Sequence, residues 1–167
     1  GPAKRKDDFR PDPAVYPQCQ ATLADYATVG KTHDRGHMAP AGNNTQNDQI
    51  MSESFFLSNM IPQVANNNRG IWKQLETLVR NWVLEGKDLY VISGTIYGKD
   101  YKSIGDNKVG IPDYLWKIAV DKKSNKVSGI FYFEGNEVNF IATPLDNKLD
   151  GVMSAAGSNF PFTGVKK

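Results

Sequence analysis

The longest regular pattern in the chain is helical. Between Asn67 and Glu85, the residues Ile71, Leu75, Leu78, Val79 and Trp82 fall three or four apart and share one face. The spacing predicts an amphipathic helix over about 67–85. The Asn66-Asn67-Asn68 run would supply its N-terminal capping oxygens, and Gly86 its C-terminal stop. Beyond it the pattern changes to strand-like runs. Asp88–Ser93, Tyr114–Val120 and Val127–Phe133 read as strands, the last two joined by a hairpin loop over Asp121–Lys126. Val138–Ala142 reads as a last short strand, and residues 146–156 admit a helix.

Ahead of the long helix the signals are shorter. Residues 3–13 are polar and charged, and Pro11, Pro13 and Pro17 keep that arm out of a helix. Residues 20–28 hold room for one short structured stretch before Gly30. Periodicity does not decide between strand and turn for residues 33–38. Residues 41–48 are loop-like, and 48–57 read as a short helix capped by Asp48. Ser58–Val64 contains Pro62 and is expected to be extended or irregular. The sum is an α+β chain with a mainly antiparallel sheet, expected as a single domain over residues 1–167.

Composition narrows this little. The net charge is +2, so recognition of a polyanion has to come from a few well-placed Arg and Lys side chains rather than from bulk charge. A single cysteine, Cys19, excludes an internal disulfide and is expected to pack as a small apolar residue. No apolar run approaches the ~20 residues of a membrane span, so no membrane partner is expected. The opening Gly1-Pro2 reads as the scar of a tag-cleaving protease.

The chemistry gathers in two places. The only histidines, His33 and His37, lie close together, and His37 ends the run Asp34-Arg35-Gly36-His37. A neutral imidazole can take a proton from water near neutral pH, and a guanidinium two residues away can clamp a phosphate through its planar fork. The glycine between them would let a substrate backbone come close. On the helix, Asn68, Trp72, Glu76 and Arg80 recur every four residues and drift only ~40° per step, forming a polar stripe. An amide, a carboxylate and a guanidinium on one stripe suit a hydrated Mg²⁺ and a phosphate. A solvated helix face carrying a Glu76–Arg80 pair accounts for the same residues.

Asp34-Arg35-Gly36-His37-Met38-Ala39-Pro40 resembles the signature of the DNA/RNA non-specific endonucleases, the ββα-metal family of the Serratia nuclease and mitochondrial endonuclease G. The resemblance continues through Phe9-Arg10-Pro11-Asp12-Pro13 and Ala21-Thr22-Leu23-Ala24-Asp25-Tyr26. It runs on through Leu57-Ser58-Asn59-Met60-Ile61-Pro62-Gln63 and Asn68-Arg69-Gly70-Ile71-Trp72. Leu75-Glu76, Tyr90-Val91-Ile92-Ser93-Gly94 and Val109–Lys117 also fit, so the match covers about residues 5–135 with its spacing preserved.

That resemblance implies a ββα-metal fold and a Mg²⁺-dependent endonuclease of DNA and RNA, with Mn²⁺ or another divalent metal as substitute. It implies His37 as general base, Asn68 as the direct metal ligand and Glu76 as a ligand through water. Asn59 would orient the site near His37, and Arg35 and Arg80 would hold the phosphate. Asp34 would fix the local backbone or Arg35. Arg5 is the candidate for a further substrate-contacting arginine, with Lys6 as its competitor. Cleavage would leave 5′-phosphate ends with little sequence preference, because contacts to phosphate and sugar carry no base information. His33 is expected to have no catalytic role beyond adjusting the basicity of His37, Asn43 and Asn44 to form a turn, and Trp72, Trp82 and Trp116 to pack in cores. The resemblance also implies early sheet strands ahead of Phe9, where almost no sequence stands. The alternative reading is a catalytically weak nucleic-acid-binding module on the same fold. An immunity or inhibitor protein, or a second copy, is the expected protein partner. A secreted or delivered effector and an organelle enzyme both fit.

Overall fold

A computed structural model describes residues 2–133 and 136–165. The expected scar at Gly1-Pro2 therefore lies partly outside the described residues. The chain divides into two compact units. One holds the chain up to Glu76 together with Ile96–Asp113, and the other holds Thr77–Thr95 and the chain from Tyr114.

In the first unit, helix α1 spans Leu23–Ala27 and opens with a capping box. Asp25 accepts from the Thr22 backbone N–H at 2.7 Å and the Thr22 hydroxyl at 2.8 Å. The same carboxylate, almost fully buried, takes the Asn107 backbone N–H at 3.1 Å and its amide at 2.8 Å. Strand β1, His33–His37, pairs antiparallel with β2, Met60–Val64, so that Asp34 faces Gln63 and His37 faces Met60. The uncertain segment 33–38 is thus a strand, because an extended partner with four consecutive buried residues lies beside it. Helix α2, Asp48–Glu53, is capped by Asn47, whose side chain accepts from the Ile50 N–H, and not by Asp48. Two apolar clusters hold this unit: Tyr26, Leu57, Met60 and Ile104, and Ala41, Met51 and Phe55, with Phe9 packed against both.

The long helix is not uniform. A first turn, α3 (Ala65–Asn67), passes into a π-wound turn at Asn68–Trp72 before the regular helix α4 (Lys73–Leu84). Gly70 leaves helical geometry with φ −95° and ψ −109°, which is where the expected 67–85 helix breaks. The asparagines do not cap it. Neither α3 nor the π turn has a side-chain cap, and Asn67 instead accepts from the Gln63 amide at 2.6 Å. The C-terminal stop is as the sequence predicts. Gly86 adopts φ 95°, its N–H reaches the Val83 carbonyl, and the Lys87 N–H reaches that of Trp82.

Strands β3 (Leu89–Ile96), β4 (Ser103–Ile104) and β5 (Val109–Gly110) follow, then β6 (Tyr114–Asp121) and β7 (Val127–Phe133). The chain ends in β8 (Asn136–Leu145), β9 (Lys148–Ala155) and β10 (Ser158–Val165). Six of these form one sheet in the order β10-β9-β8-β7-β6-β3, with β6 through β10 paired antiparallel to their neighbours. The α+β class with a mainly antiparallel sheet is as expected. Residues 146–156 are not a helix. Asp146, at φ 53°, starts a tight turn into β9, and Ala156-Gly157, at φ 48° and 79°, turns it into β10. Among the described residues no helix is long and apolar enough to cross a membrane.

Candidate active site

The β1–β2 ribbon carries the candidate residues on its two faces. Alternation along β1 sends Arg35 and His37 to one side and Asp34 and Gly36 to the other.

On the first side, Arg10 bridges to Phe56, which brings Phe9 beside the ribbon. The Arg35 guanidinium lies 4.2 Å from the centre of the Phe9 ring. The His37 ring meets Phe55 edge-on at 4.9 Å and Phe9 at 5.9 Å. Its Nε2 is shielded from solvent and has no hydrogen-bond partner. Burial is the main reason its pKa falls to about 4, the positive charge of Arg5 adds to it, and Asp7 opposes it. The imidazole is therefore neutral across the physiological range. Arg5 binds Asp7 at 2.7 Å and stands 4.9 Å from the Phe55 ring centre, so it belongs to this cluster. Lys6, its competitor in the sequence, pairs with Asp48 at 2.8 Å.

Asn59 spends its whole amide on backbone groups, two of them just after His37 and one at the end of α2. Its Oδ1 accepts from the Ala39 N–H at 2.9 Å, and its Nδ2 donates to the Ala39 and Ser54 carbonyls. The Met38 N–H donates to the Asn59 carbonyl, so the segment leaving His37 is held from both sides. The indole N–H of Trp72 reaches the His37 carbonyl at 3.3 Å, tying the helix to the same point. Trp72 is buried, in keeping with a packing role.

On the second side, Asp34 accepts from Asn68 Nδ2 at 2.8 Å and from Arg69 through two bonds of 2.9 and 2.6 Å. Hydrogen bonding from Arg69 holds the Asp34 carboxyl below its usual range, against the upward push of partial burial, and Asn68 adds to the lowering. The resemblance implies that Asp34 fixes the local backbone or Arg35; its side-chain hydrogen bonds go to Asn68 and Arg69, and Arg35 acts on it through charge alone. Gly36 has a different use from the one its sequence suggests. A Cβ there would run into Gln63, meeting its Oε1 and coming 2.7 Å from its Cβ, so the space beside Gly36 is taken by Gln63.

Glu76 sits half-buried in the first turn of α4. Arg80 follows one turn later, its guanidinium 3.1 Å from the Thr77 hydroxyl, and falls in the second unit. His33 binds the Thr32 hydroxyl at 2.9 Å and is not in contact with His37. Asn44 closes its own turn onto the Pro40 carbonyl. Cys19 is exposed, not packed, because the proline-rich turn that carries it buries nothing.

Among the described residues, no three His, Cys, Asp or Glu side chains gather as a metal cage. What the chain offers is an amide whose nitrogen is already committed to a carboxylate. Its Oδ1 is turned the other way, and that donor suits a hard cation which keeps most of its water. Sequence reasoning missed Phe9, Phe55, Gln63 and Arg69. Phe9, Gln63 and Arg69 were visible only as members of the strings Phe9-Arg10-Pro11, Ile61-Pro62-Gln63 and Asn68-Arg69-Gly70, and Phe55 in none of them.

The model of the DNA/RNA non-specific endonuclease family matches residues 1–160. The mitochondrial nuclease EXOG of Homo sapiens is 38% identical over 136 residues, 75% of this chain and 36% of that protein. Nuclease C1 of Cunninghamella echinulata var. echinulata is 36% identical over 166 residues, 91% of this chain and 65% of that one. Endonuclease G, mitochondrial, of Homo sapiens is 35% identical over 127 residues, 70% of this chain and 42% of that protein. A crystal structure of the EndoG/EndoGI complex superposes with a TM-score of 0.67 at 33% identity, over 78% of this chain and 58% of that one. The chain thus spans between 36% and 65% of the length of these curated relatives. Matched by the family model over almost all of its length, the chain belongs to the DNA/RNA non-specific endonuclease family.

Proposed function

We propose that this chain is a divalent-metal-dependent, sequence-non-specific endonuclease of DNA and RNA. The observation that supports it most is the match of the non-specific endonuclease family model over residues 1–160, which takes in the Asp34-Arg35-Gly36-His37 strand and the Asn68 amide bonded to it through Asp34.

In this reading, water attacks phosphorus while His37 Nε2 takes its proton. The P–O3′ bond breaks, and the departing oxygen takes a proton from solvent water, leaving a 3′-hydroxyl and a 5′-phosphate. Arg35, backed by Phe9, holds a phosphate oxygen and offsets the charge that grows there. Arg5 and Arg80 are the further phosphate contacts proposed. Asn59 fixes the backbone that carries His37. Asn68 would hold Mg²⁺, or Mn²⁺ in its place, through Oδ1, and Glu76 would hold it through water. The bound cation supplies charge stabilisation to the transition state and the leaving oxygen.

Two further readings follow from the relatives. EXOG and endonuclease G are mitochondrial by name, which supports an organelle setting beside the secreted or delivered one. A solved relative is in a complex described as inhibitory, which supports an inhibitor or immunity protein as partner. The test is digestion of circular single-stranded DNA and of RNA, with Mg²⁺ and with chelator. Cleavage of the circle shows endonuclease action, and phosphatase-sensitive 5′ ends show which bond breaks. Digestion that persists in chelator, or 5′-hydroxyl ends, would refute the proposal.

A further inference from the structure

Asp34 takes no part in the chemistry just described, yet three hydrogen bonds converge on it. Arg69 Nε reaches Oδ2 at 2.9 Å and Arg69 Nη2 reaches Oδ1 at 2.6 Å, while Asn68 Nδ2 reaches Oδ2 at 2.8 Å. The Asp34 side chain is 18% exposed and that of Arg69 is 68% exposed.

The chemistry of this triad is directional. An ionised carboxylate only accepts, so an amide can offer it only its nitrogen. An amide has two ends of nearly equal size, and a half-turn about its last bond exchanges an oxygen for an NH₂. A hard cation tolerates the first and is repelled by the second. Whatever sits at position 34 therefore decides which end of Asn68 is presented. The planar fork of Arg69 grips both carboxylate oxygens, which fixes the plane of the carboxylate as well as its charge. Arg69 also follows Asn68 directly in the π-wound turn, so one carboxylate gathers two neighbouring side chains.

We infer that Asp34 is a positioning residue that sets the orientation of the Asn68 amide toward its cation, and that Arg69 is the clamp that holds Asp34 in the required plane. This rests on the reading of Asn68 as the ligand. It assigns Asp34 and Arg69 to metal affinity rather than to proton transfer or phosphate binding.

The test is Mn²⁺ binding without nucleic acid, followed by the electron paramagnetic resonance signal of free Mn²⁺. Wild type is compared with Asp34→Asn, Asp34→Ala, Arg69→Lys, Arg69→Ala and Asn68→Ala, each checked for fold by circular dichroism. Loss of a partner that orients a metal ligand typically weakens binding by about 10–100-fold. Asp34→Asn and Asp34→Ala are expected in that range, Arg69→Ala lower in it, and Arg69→Lys closest to wild type. Cleavage lost in Asp34→Asn should return as the metal concentration is raised, which a merely disrupted fold would not do. If Asn68→Ala abolishes Mn²⁺ binding and folded Asp34 and Arg69 variants bind as wild type, the inference is overturned while the ligand reading stands. If Asn68→Ala itself binds as wild type, the ligand reading falls and the inference with it. Should the Asp34 variants fail to fold, the Arg69 pair decides alone: unchanged affinity in a folded Arg69→Ala protein overturns the clamp.

Discussion

Single residues in this site are used differently from how their types suggest. Gly36 is the clearest case, because the space beside it is filled by Gln63, itself almost fully buried. Gly36→Ala is expected to destabilise the fold by about 1–3 kcal/mol through overpacking, read from urea denaturation; an unchanged midpoint would show that Gln63 yields freely. His37 makes a prediction that can be separated from the acidic residues. Its imidazole is neutral in the fold down to about pH 4 but has an ordinary pKa of 6.5 when exposed. Between those values the unfolded chain binds the proton and the folded chain does not, so acid favours unfolding. Stability conferred by the neutral ring is present above pH 6.5 and lost as pH falls toward 4, on the order of 3 kcal/mol in full. The carboxyls of Asp25 and Asp34 are held below an ordinary value of 3.8, so their contribution falls away mainly below that window. Thermal unfolding at pH 7 and pH 4.5 should show a larger drop for wild type than for His37→Phe. Equal drops would place the acid sensitivity elsewhere. The identities of His37, Arg35 and Asn68 as candidates were legible in the sequence because each stands in a motif. Their partners were not, since Asp34 and Arg69, or Phe9 and Arg35, meet only once the ribbon and helix have formed.

At the scale of elements, periodicity located the long helix but not its break. Gly70 lies inside the helical spacing, and its departure from helical angles leaves the apolar pattern undisturbed. The hydrogen bonds at Gly86 close the other end, and its φ of 95° admits a side chain only with strain. Gly86→Ala is expected to cost about 1–2 kcal/mol, and Asn47→Ala at the start of α2 about 1 kcal/mol. Both are measurable by chemical denaturation, and neither should alter cleavage of nucleic acid, since neither touches the ribbon. The misread segment 146–156 shows the limit of pattern alone. Leu149, Val152 and Met153 fit a helical face, but the turns at Asp146 and Ala156-Gly157 have positive φ, which suits a hairpin better than a helix. The turn chemistry held the information that the apolar spacing did not.

At the scale of the whole molecule, the fold class came from strand-like runs following one long helix, and the six-stranded sheet agrees with it. The motifs that carry the resemblance end near residue 135, and the wrongly expected helix lies beyond them, whereas the family model reaches residue 160. Strand β1 carries His37, and the π-wound turn carries Asn68, whose amide donates to Asp34 of the same strand; the proposed account makes the first the proton acceptor and the second the cation's ligand. The most direct test of that account is the initial rate of supercoiled plasmid nicking at saturating Mg²⁺, for wild type and His37→Ala side by side. The account predicts cleavage that chelator abolishes and a loss of about 10²–10⁴-fold in the variant, the usual contribution of a positioned general base. A folded His37→Ala protein that nicks the plasmid at the wild-type rate would contradict it.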